Sequence, residues 1–533
     1  MKKNIISLVI TLILGAIIYY LVLPPFNAAS LLFWVYIVSL IVIFAFCRLC
    51  ASVDVKGNFL VTKVDGVLWL IPIGIVLIIL LIDFVLSPLF NSKDYSERIT
   101  VNEDKTFTED VKPVDFNSLP LLDKDSSNKL GDRVMGQMPE LVSQFYVSSL
   151  YTQINYNNDI VRVTPLEYDG LIKYFTNRKN GVKGYIVVNS VTGESTLTKL
   201  EKGMKYMPSA YFNEDLYRKL RFSYPTKIFG SVSFEIDNEG NPYWIVPVIK
   251  YTGINLRRDV AGIVIMDPIT GKSDYYKTGD IPTWVDHVYS ADMIIEQVNS
   301  WGKYRGGFFN SIFGQKNVVA TTEGYNYTVM NDDVYLYTGI TSAASDESNI
   351  GFILTNLRTK ETNYYAVPGA EEYSAMASAE GQVQQMKYIA SFPLLINLNN
   401  RPTYLISLKD NAGLVKMYSF VDVTDYQKVT VTDSSKGIEA AANNYLEENN
   451  INIDSSKYNE KDITISYITN ANISGTTYYY ITDYEGKKYK VSIKVDDNKL
   501  PFVKAGDILK IKYQEEKEVT TIKDVKEIIT ANY

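Results

Sequence analysis

The chain has 533 residues but only one histidine and two cysteines. With His287 alone, a hydrolytic triad, an imidazole zinc site or a phosphohistidine carrier would each have to be built on that residue. No G-x-S-x-G elbow accompanies it. In P-T-W-V-D-H-V-Y it stands beside Asp286, just ahead of a helix-like stretch, where a linking residue between repeats is the simpler reading. Both cysteines, Cys47 and Cys50, lie close to the N-terminus, so the long remainder has no disulfide and must rely on apolar cores. Their C-x-x-C spacing has no second pair and no thioredoxin-like surroundings, which favours two residues at a membrane-helix end, open to acylation, over a redox centre. Asp123, Asp125 and Ser127 imitate the start of a calcium loop, but Asn128 and Val134 stand where the glycine and glutamate should be. No catalytic residue, metal site or cofactor is expected, and the chain does not read as an enzyme.

Long apolar runs are present at the start. Ile5 to Leu23, Leu31 to Phe46 and Val67 to Val85 each approach the roughly 20 residues that cross a bilayer as a helix. Lys2 and Lys3 precede the first run, and Arg48, Lys56 and Lys63 lie between the second and third. The link around Pro24 and Pro25 carries no charge. The positive-inside rule then places the N-terminus in the cytoplasm and everything after about residue 90 outside. A cleavable signal peptide fits less well, because no A-x-A-like site is present and two further runs come after the first. Asp83 sits near the outer end of the third run, where an interfacial carboxylate is tolerated.

Acidic residues dominate the rest of the chain. The first ninety residues carry Lys2, Lys3, Arg48, Lys56 and Lys63 against Asp54, Asp65 and Asp83, so more than the whole net charge of −7 lies beyond them. Such an exported part argues against nucleic acid as a partner. Abundant Lys, Asn, Ile and Tyr together with three spans point to the plasma membrane of a Gram-positive-type bacterium.

Residues 91–128 are polar, contain Pro113 and Pro120, and read as an extended linker. Beyond them one pattern recurs. G-I-V-I-M-D-P-I-T-G-K from Gly262, G-Y-I-V-V-N-S-V-T-G-E from Gly184 and G-F-I-L-T-N-L-R-T-K-E from Gly351 each run from glycine through apolar residues to Asp or Asn three positions before Thr. This predicts a strand entering a tight turn. A candidate hairpin precedes each copy, from Ile154, Phe234 and Tyr327, and a fourth from Leu394 leads to a divergent copy at Gly413 that keeps the glycine and loses T-G. Helix-like stretches stand before the hairpins, near Leu130–Phe145, Asn213–Leu220, Ala291–Trp301 and Ala370–Gln385. At a period of about 80 residues these predict four copies of one α+β unit.

The fold class is therefore α+β: three N-terminal transmembrane helices, four tandem helix-plus-antiparallel-sheet repeats and a small C-terminal β-barrel. The expected domains are a membrane anchor at 1–90, a polar linker at 91–128, repeats at 129–210, 211–289, 290–369 and 370–433, a linker helix at 434–450 and the barrel at 451–533.

Tyr243 to Tyr276, with Y-W-I-V-P-V and then G-I-V-I-M-D-P-I-T-G-K, resembles PepSY and PepSY-like domains, whose strands end in a similar V-D-x-x-T-G-K pattern. The resemblance covers about 130–430 and is clearest in the second copy. It implies a helix-plus-sheet module of exported and membrane-anchored bacterial proteins, often in tandem, that binds or restrains envelope peptidases, and it brings no catalytic residues. Near the C-terminus, A-G-D-I-L-K-I-K-Y after the E-G hairpin at Glu485 and Gly486 resembles five-stranded barrels of OB type. From Ile451 onward lysines and acids number thirteen each, so the barrel lacks a basic face for nucleic acid.

The candidate partner-binding loop is W-G-K-Y-R-G-G-F-F-N-S-I-F-G. Ile312, Phe313 and Gly314 match Ile228, Phe229 and Gly230 and are expected to be repeat core. That leaves Gly302, Lys303, Tyr304, Arg305, Gly306, Gly307, Phe308 and Phe309 as the segment special to the third copy. Together these features predict a membrane-anchored extracytoplasmic binding or scaffold protein of the bacterial envelope that docks or regulates an envelope enzyme or complex. An accessory membrane subunit of a secretion or conjugation machine and a histidine-independent envelope hydrolase are the alternatives. Oligomeric state is not legible.

Overall fold

The three apolar runs form helices because lipid offers no partner to a backbone amide, so each span must satisfy its own. In the computed structural model, which describes residues 2–52, 62–342, 345–449, 451, 458–473, 476–514 and 519–530, they are α1 (Lys2–Val22), α2 (Leu31–Cys50) and α3 (Lys63–Val85). All three are long and apolar enough to cross a membrane. α1 and α2 meet closely at Gly15, where an added Cβ would lie 2.6 Å from a Leu40 methyl. At the end away from the repeats Arg48 gathers all three helices, donating to Asp65 at 2.6 Å, Asn4 at 3.0 Å and Thr62 at 3.3 Å. Lys56, counted among the basic residues of that side, lies outside the described residues.

Only Leu86 and Ser87 separate α3 from α4 (Pro88–Ser96), and β1 (Val101–Lys105) and α5 (Phe107–Asp110) come next. The stretch 91–128, expected as an extended linker, does not stand free. β1 adds a parallel strand to the sheet of the third repeat, Val101 opposite Thr362, and Phe107 packs edge-on against Tyr365 at 5.8 Å. Strand pairing uses the backbone, so a segment as charged as V-N-E-D-K can be captured at a sheet edge without an apolar face of its own.

Four sheets of one design make up the repeats. Repeat 1 comprises α6 (Lys124–Gly136), α7 (Pro139–Val142), β2 (Phe145–Val147), β3 (Thr152–Tyr156), β4 (Asp159–Tyr168), α8 (Gly170–Asn177), β5 (Val182–Asn189) and β6 (Ser195–Met204). Repeat 2 comprises α9 (Leu216–Ser223), β7 (Ile228–Phe229), β8 (Ser233–Ile236), β9 (Pro242–Lys250), β10 (Asp259–Met266) and β11 (Ser273–Lys277). Repeat 3 comprises α10 (Ala291–Tyr304), β12 (Val319–Thr321), β13 (Asn326–Met330), β14 (Asp333–Ser342), β15 (Ser345–Asn356), β16 (Thr362–Tyr365) and β17 (Gly369–Ala370). Repeat 4 comprises α11 (Glu372–Gly381), β18 (Ile389–Ala390), β19 (Leu394–Leu398), β20 (Arg401–Lys409), β21 (Val415–Asp422) and β22 (Val429–Asp433). The orders are β2-β4-β5-β6, β7-β9-β10-β11, β12-β14-β15-β16 and β18-β20-β21-β22, each with one further short strand on its first long strand. α6 starts at Lys124 rather than near Leu130, because Asp123 caps it by accepting from Ser126 N at 2.9 Å.

Turn chemistry explains the registers. Asn157-Asn158, Asn331-Asp332 and Asn399-Asn400 all have positive φ, the two-residue geometry that matches strand twist, and they close the short hairpins of repeats 1, 3 and 4. At the recurring motif Asn189, Asp267 and Asn356 each accept two backbone N–H groups of the following turn. The left-handed position is Gly193 or Gly271 in the first two copies and Lys360 in the third. Asp422 accepts from Thr424 N and Asp425 N, so the divergent fourth copy keeps the Asx turn without the T-G pair.

The chain folds into two compact bodies, 1–110 with 117–372 and 111–116 with 373–533. In the first body the sheet of repeat 2 is apolar on both faces. Phe234, Trp244, Val246, Val264 and Met266 pack into the core of repeat 1, while Ile245, Ile249, Ile263 and Ile265 pack with α10 and the sheet of repeat 3. The period of two along a strand divides Y-W-I-V-P-V-I and G-I-V-I-M between these two cores. The second body holds repeat 4, α12 (Ile438–Glu448) and a closed barrel of β23 (Asn459–Ile473), β24 (Thr476–Asp483), β25 (Lys488–Ser492), β26 (Ile508–Gln514) and β27 (Thr520–Ile529). Barrel order is β23-β24-β25-β27-β26, with β25 and β27 parallel and Leu509, Ile511, Ile481 and Val491 in its core.

Candidate functional site

The segment Gly302–Phe309 divides between core and surface. Gly302 is buried where α10 crosses β12, and a Cβ there would lie 2.2 Å from the Val319 carbonyl. The Arg305 guanidinium lies 4.6 Å from the centre of the Trp301 ring, and its Nε donates to Asn317 O at 3.1 Å. Tyr304 meets Tyr95 of α4 at 6.0 Å. Lys303 and Gly306 are exposed, and Gly307, at φ 89°, ends the helix with its N–H on Tyr304 O at 2.8 Å. Phe308 is half-buried against Phe309, which is 66% exposed.

A single π-helical turn, Asn310–Gly314, continues the loop, and Asn310 closes it by donating to Lys316 O at 3.0 Å. Ile312 and Phe313 were expected in the core, yet Phe313 is 80% exposed. The strand equivalent to Ile228–Phe229 is instead Val319–Thr321, since both pair antiparallel with the first long strand of their sheet. The link from Tyr224 to Lys227 in repeat 2 is replaced in repeat 3 by the longer Arg305–Val318, and a short apolar string inside that insertion mimics the strand. Between α4 and the end of α10 lies an open cleft of about 720 Å³, with Ser92, Lys93, Ser96, Tyr304, Arg305 and Gly307 on its walls.

His287 serves as a joint. On β8 the buried Glu235 carboxylate accepts from Asp286 N at 2.9 Å and from His287 N at 3.1 Å. Asp286 accepts from Asn155 N at 2.8 Å, and His287 Nε2 lies 2.7 Å from Gln153 O, so that nitrogen carries the proton and donates it. Tyr327 of repeat 3 meets the imidazole edge-on at 5.8 Å. Burial pushes Glu235 up to about 7, against the pull of its backbone donors. Asp286 is raised by burial and then by the Glu235 charge, and burial lowers His287 to about 4. A base whose ring nitrogen is committed to a carbonyl in a desolvated seam between three repeats is positioned for packing, not for proton transfer from a substrate. Among the described residues no group of three or more His, Cys, Asp or Glu side chains could hold a metal ion. Cys47 and Cys50 are free thiols near the end of α2.

A feature that sequence reasoning missed is the clamp between the repeats and the apolar helices. The last carbonyls of a helix lack partners within it. In α1 that of Tyr20 accepts from Arg218 Nε at 3.3 Å, and just beyond, Leu23 O accepts from Arg221 Nε at 2.9 Å. At the start of α2 the orphan N–H of Leu31 donates to Asn255 Oδ1 at 3.0 Å, and Phe26 N donates to Pro225 O at 2.8 Å. Beside α4, Arg257 pairs with Asp94, and Arg98 pairs with Glu296 at 2.7 Å and Ser300 at 2.6 Å. Cations at a helix C-terminus and a side-chain acceptor at an N-terminus are the complements those ends require. R-K-L-R at Arg218–Arg221 was the available signal, but no local pattern names a partner two hundred residues away.

No protein-family model matches the chain, and a search of curated proteins returns no match.

Proposed function

We propose that the protein is a membrane-anchored extracytoplasmic binding or scaffold protein of the bacterial envelope, which holds or regulates an envelope enzyme or complex. The observation that carries this reading is the clamp at Arg218, Arg221 and Asn255, which makes α1, α2 and the first three repeats one continuous mount. Such a mount holds a binding surface at a set height and orientation instead of on a tether. Stacked repeats with shared cores present an extended surface, and the chain's one histidine is used up in a joint between them. Four sheets of common order support kinship with PepSY-like modules, and the closed five-stranded barrel supports the OB-like reading. Basic residues at the Arg48 end of the helices favour a cytoplasmic N-terminus, with the repeats outside.

The test uses whole cells and the full chain. With Cys47 and Cys50 replaced by serine, Asn238→Cys should react with a membrane-impermeant maleimide before lysis, and a partner should co-purify stoichiometrically from mild detergent after cross-linking. Labelling only after lysis refutes the orientation. Correct labelling with the protein always emerging alone refutes the scaffold role.

A further inference from the structure

Two apolar protrusions of the first body have no covering partner among the described residues. One is the tip of α8, where Leu171, Ile172 and Phe175 are exposed and Phe175 meets Phe212 at 5.9 Å. The other is the loop with Phe309, Ile312 and Phe313. They lie in different repeats and share no sequence pattern, but both are placed beside the repeat-side ends of the apolar helices.

For α8 the link is Arg218, whose guanidinium donates to the Tyr20 carbonyl of α1 and to the Phe212 carbonyl. Two acceptors on one guanidinium are within about 8 Å of each other. For the loop the link is the antiparallel packing of α4 on α10. Arg98 reaches Glu296 and Ser300, Tyr95 meets Tyr304, and Ser92 and Lys93 face Gly307 across the cleft. Moving along α10 toward its loop therefore means moving back along α4 toward α3. With Leu86 and Ser87 between the helices and Ser87 extended, Ser92 can lie no more than about 17 Å beyond the end of α3. Aromatic rings mark the same level, with Tyr19 stacked on Phe26 at 5.0 Å and Trp34 Nε1 donating to Ala28 O at 2.8 Å, as expected of an interfacial belt.

Charge agrees with placement. Residues 170–180 carry Lys173, Arg178 and Lys179 and no acid, and 302–317 carry Lys303, Arg305 and Lys316 and no acid, in a chain of net charge −7. Arg178 and Arg305 are partly neutralised by Glu214 at 3.7 Å and Glu103 at 3.3 Å. That leaves Lys173, Lys179, Lys303 and Lys316 as the cations beside the apolar tips, a pattern that matches the interface of an anionic bilayer.

We propose that the α8 tip with Phe212 and the Phe308–Phe313 loop insert into the headgroup region of the bilayer face from which the repeats rise. They seat the first body on lipid at two points flanking its spans. This rests on the reading that α1 to α3 cross the membrane, and the experiment separates the two.

Single-cysteine variants Ile172→Cys, Phe313→Cys, Leu77→Cys and Asn238→Cys, in the Cys47→Ser/Cys50→Ser chain, are labelled with an environment-sensitive nitrobenzoxadiazole dye. The full chain is then reconstituted in phosphatidylcholine vesicles with and without phosphatidylglycerol. Leu77 lies within α3, and Asn238 lies at the end of β9 opposite Asn255, about 30 Å from it at strand rise. Bromolipid quenching at positions 172 and 313 should exceed that at Asn238 by at least about threefold, and should grow with the anionic lipid fraction. Quenching at Leu77 with aqueous, iodide-accessible dye at both 172 and 313 refutes the proposal while the spans stand. Absence of quenching at Leu77 refutes the spans themselves. Dye shielded from both iodide and bromolipid refutes lipid as the occupant and assigns the protrusions to protein.

Discussion

At the seam of the first three repeats, an acid and a base are buried with opposite consequences for pH. Glu235 has its usual value of 4.5 when the chain unfolds and about 7 when folded. The folded protein thus holds the extra proton between these values, and the stability this group contributes is present below pH 4.5 and lost as pH rises through 7. The difference amounts to about 3 kcal/mol at 1.36 kcal/mol per unit. His287 goes from 6.5 unfolded to about 4 folded. Here the unfolded chain holds the extra proton, so the contribution is present above pH 6.5 and lost as pH falls through 4, again by about 3 kcal/mol. Asp286, raised in the same direction as Glu235, adds to the acid side. In the native chain the two trends oppose each other, and single substitutions should unmask them. His287→Gln, whose amide can still donate to Gln153 O, should leave stability falling between pH 4.5 and 7. Glu235→Gln should make stability rise with pH across 4 to 6.5 more steeply than in the native chain, at a fixed cost of about 1–3 kcal/mol for an amide that cannot accept both N–H groups. Urea unfolding of the full chain in detergent at several pH values measures this, since all five tryptophans, Trp244 among them, lie in the first body. Equal pH slopes for the native chain and both variants would refute the buried acid–base account.

Three substitutions test the packing and the clamp, and a fourth serves as their control. Arg221→Ala removes the donor to Leu23 O together with those to the Tyr224, Pro225 and Lys227 carbonyls. It should cost about 1.5–3 kcal/mol of clamp stability, read as faster hydrogen exchange in 23–30 and at the β7 edge, with β10 and β11 unchanged. Trp244→Ala empties a fully buried site and strands the Tyr206 carbonyl that its indole N–H reaches at 2.9 Å, costing about 3–5 kcal/mol; a lower urea midpoint for the first body is the check. Gly302→Ala places a methyl 2.2 Å from Val319 O and should cost about 1–3 kcal/mol, whereas Gly136→Ala, with nothing within 4 Å, should be nearly neutral in the same measurement.

Much of the repeat architecture was legible because it is encoded locally. Asn-Asn and Asn-Asp pairs demand positive φ, the Asx turns at Asn189, Asp267 and Asn356 need only their own next residues, and apolar alternation sets each strand's faces. Reading failed where a local match competed with a distant constraint. Ile312-Phe313-Gly314 looks like Ile228-Phe229-Gly230, but β14 pairs with Val319 onward, and the apolar string stays outside the sheet. The charged strand Val101–Lys105 carries no strand signal of its own and is ordered by the edge of β16. Gly302 was assigned to a binding loop because glycines suggest a loop. Its reason is the close approach of α10 to β12, which no neighbouring residue announces.

What the sequence determined alone was therefore periodic or nearest-neighbour: three apolar helices, four helix-plus-sheet units and a barrel of alternating strands. Tertiary structure decided that the sheet of repeat 2 is buried on both faces, which arginines complete the end of α1, and that His287 closes a seam between repeats. Hydrogen-bond propensity and side-chain period act over a few residues. The partners of Arg221, His287 and Phe212 are set only when the packed repeats bring distant segments within reach.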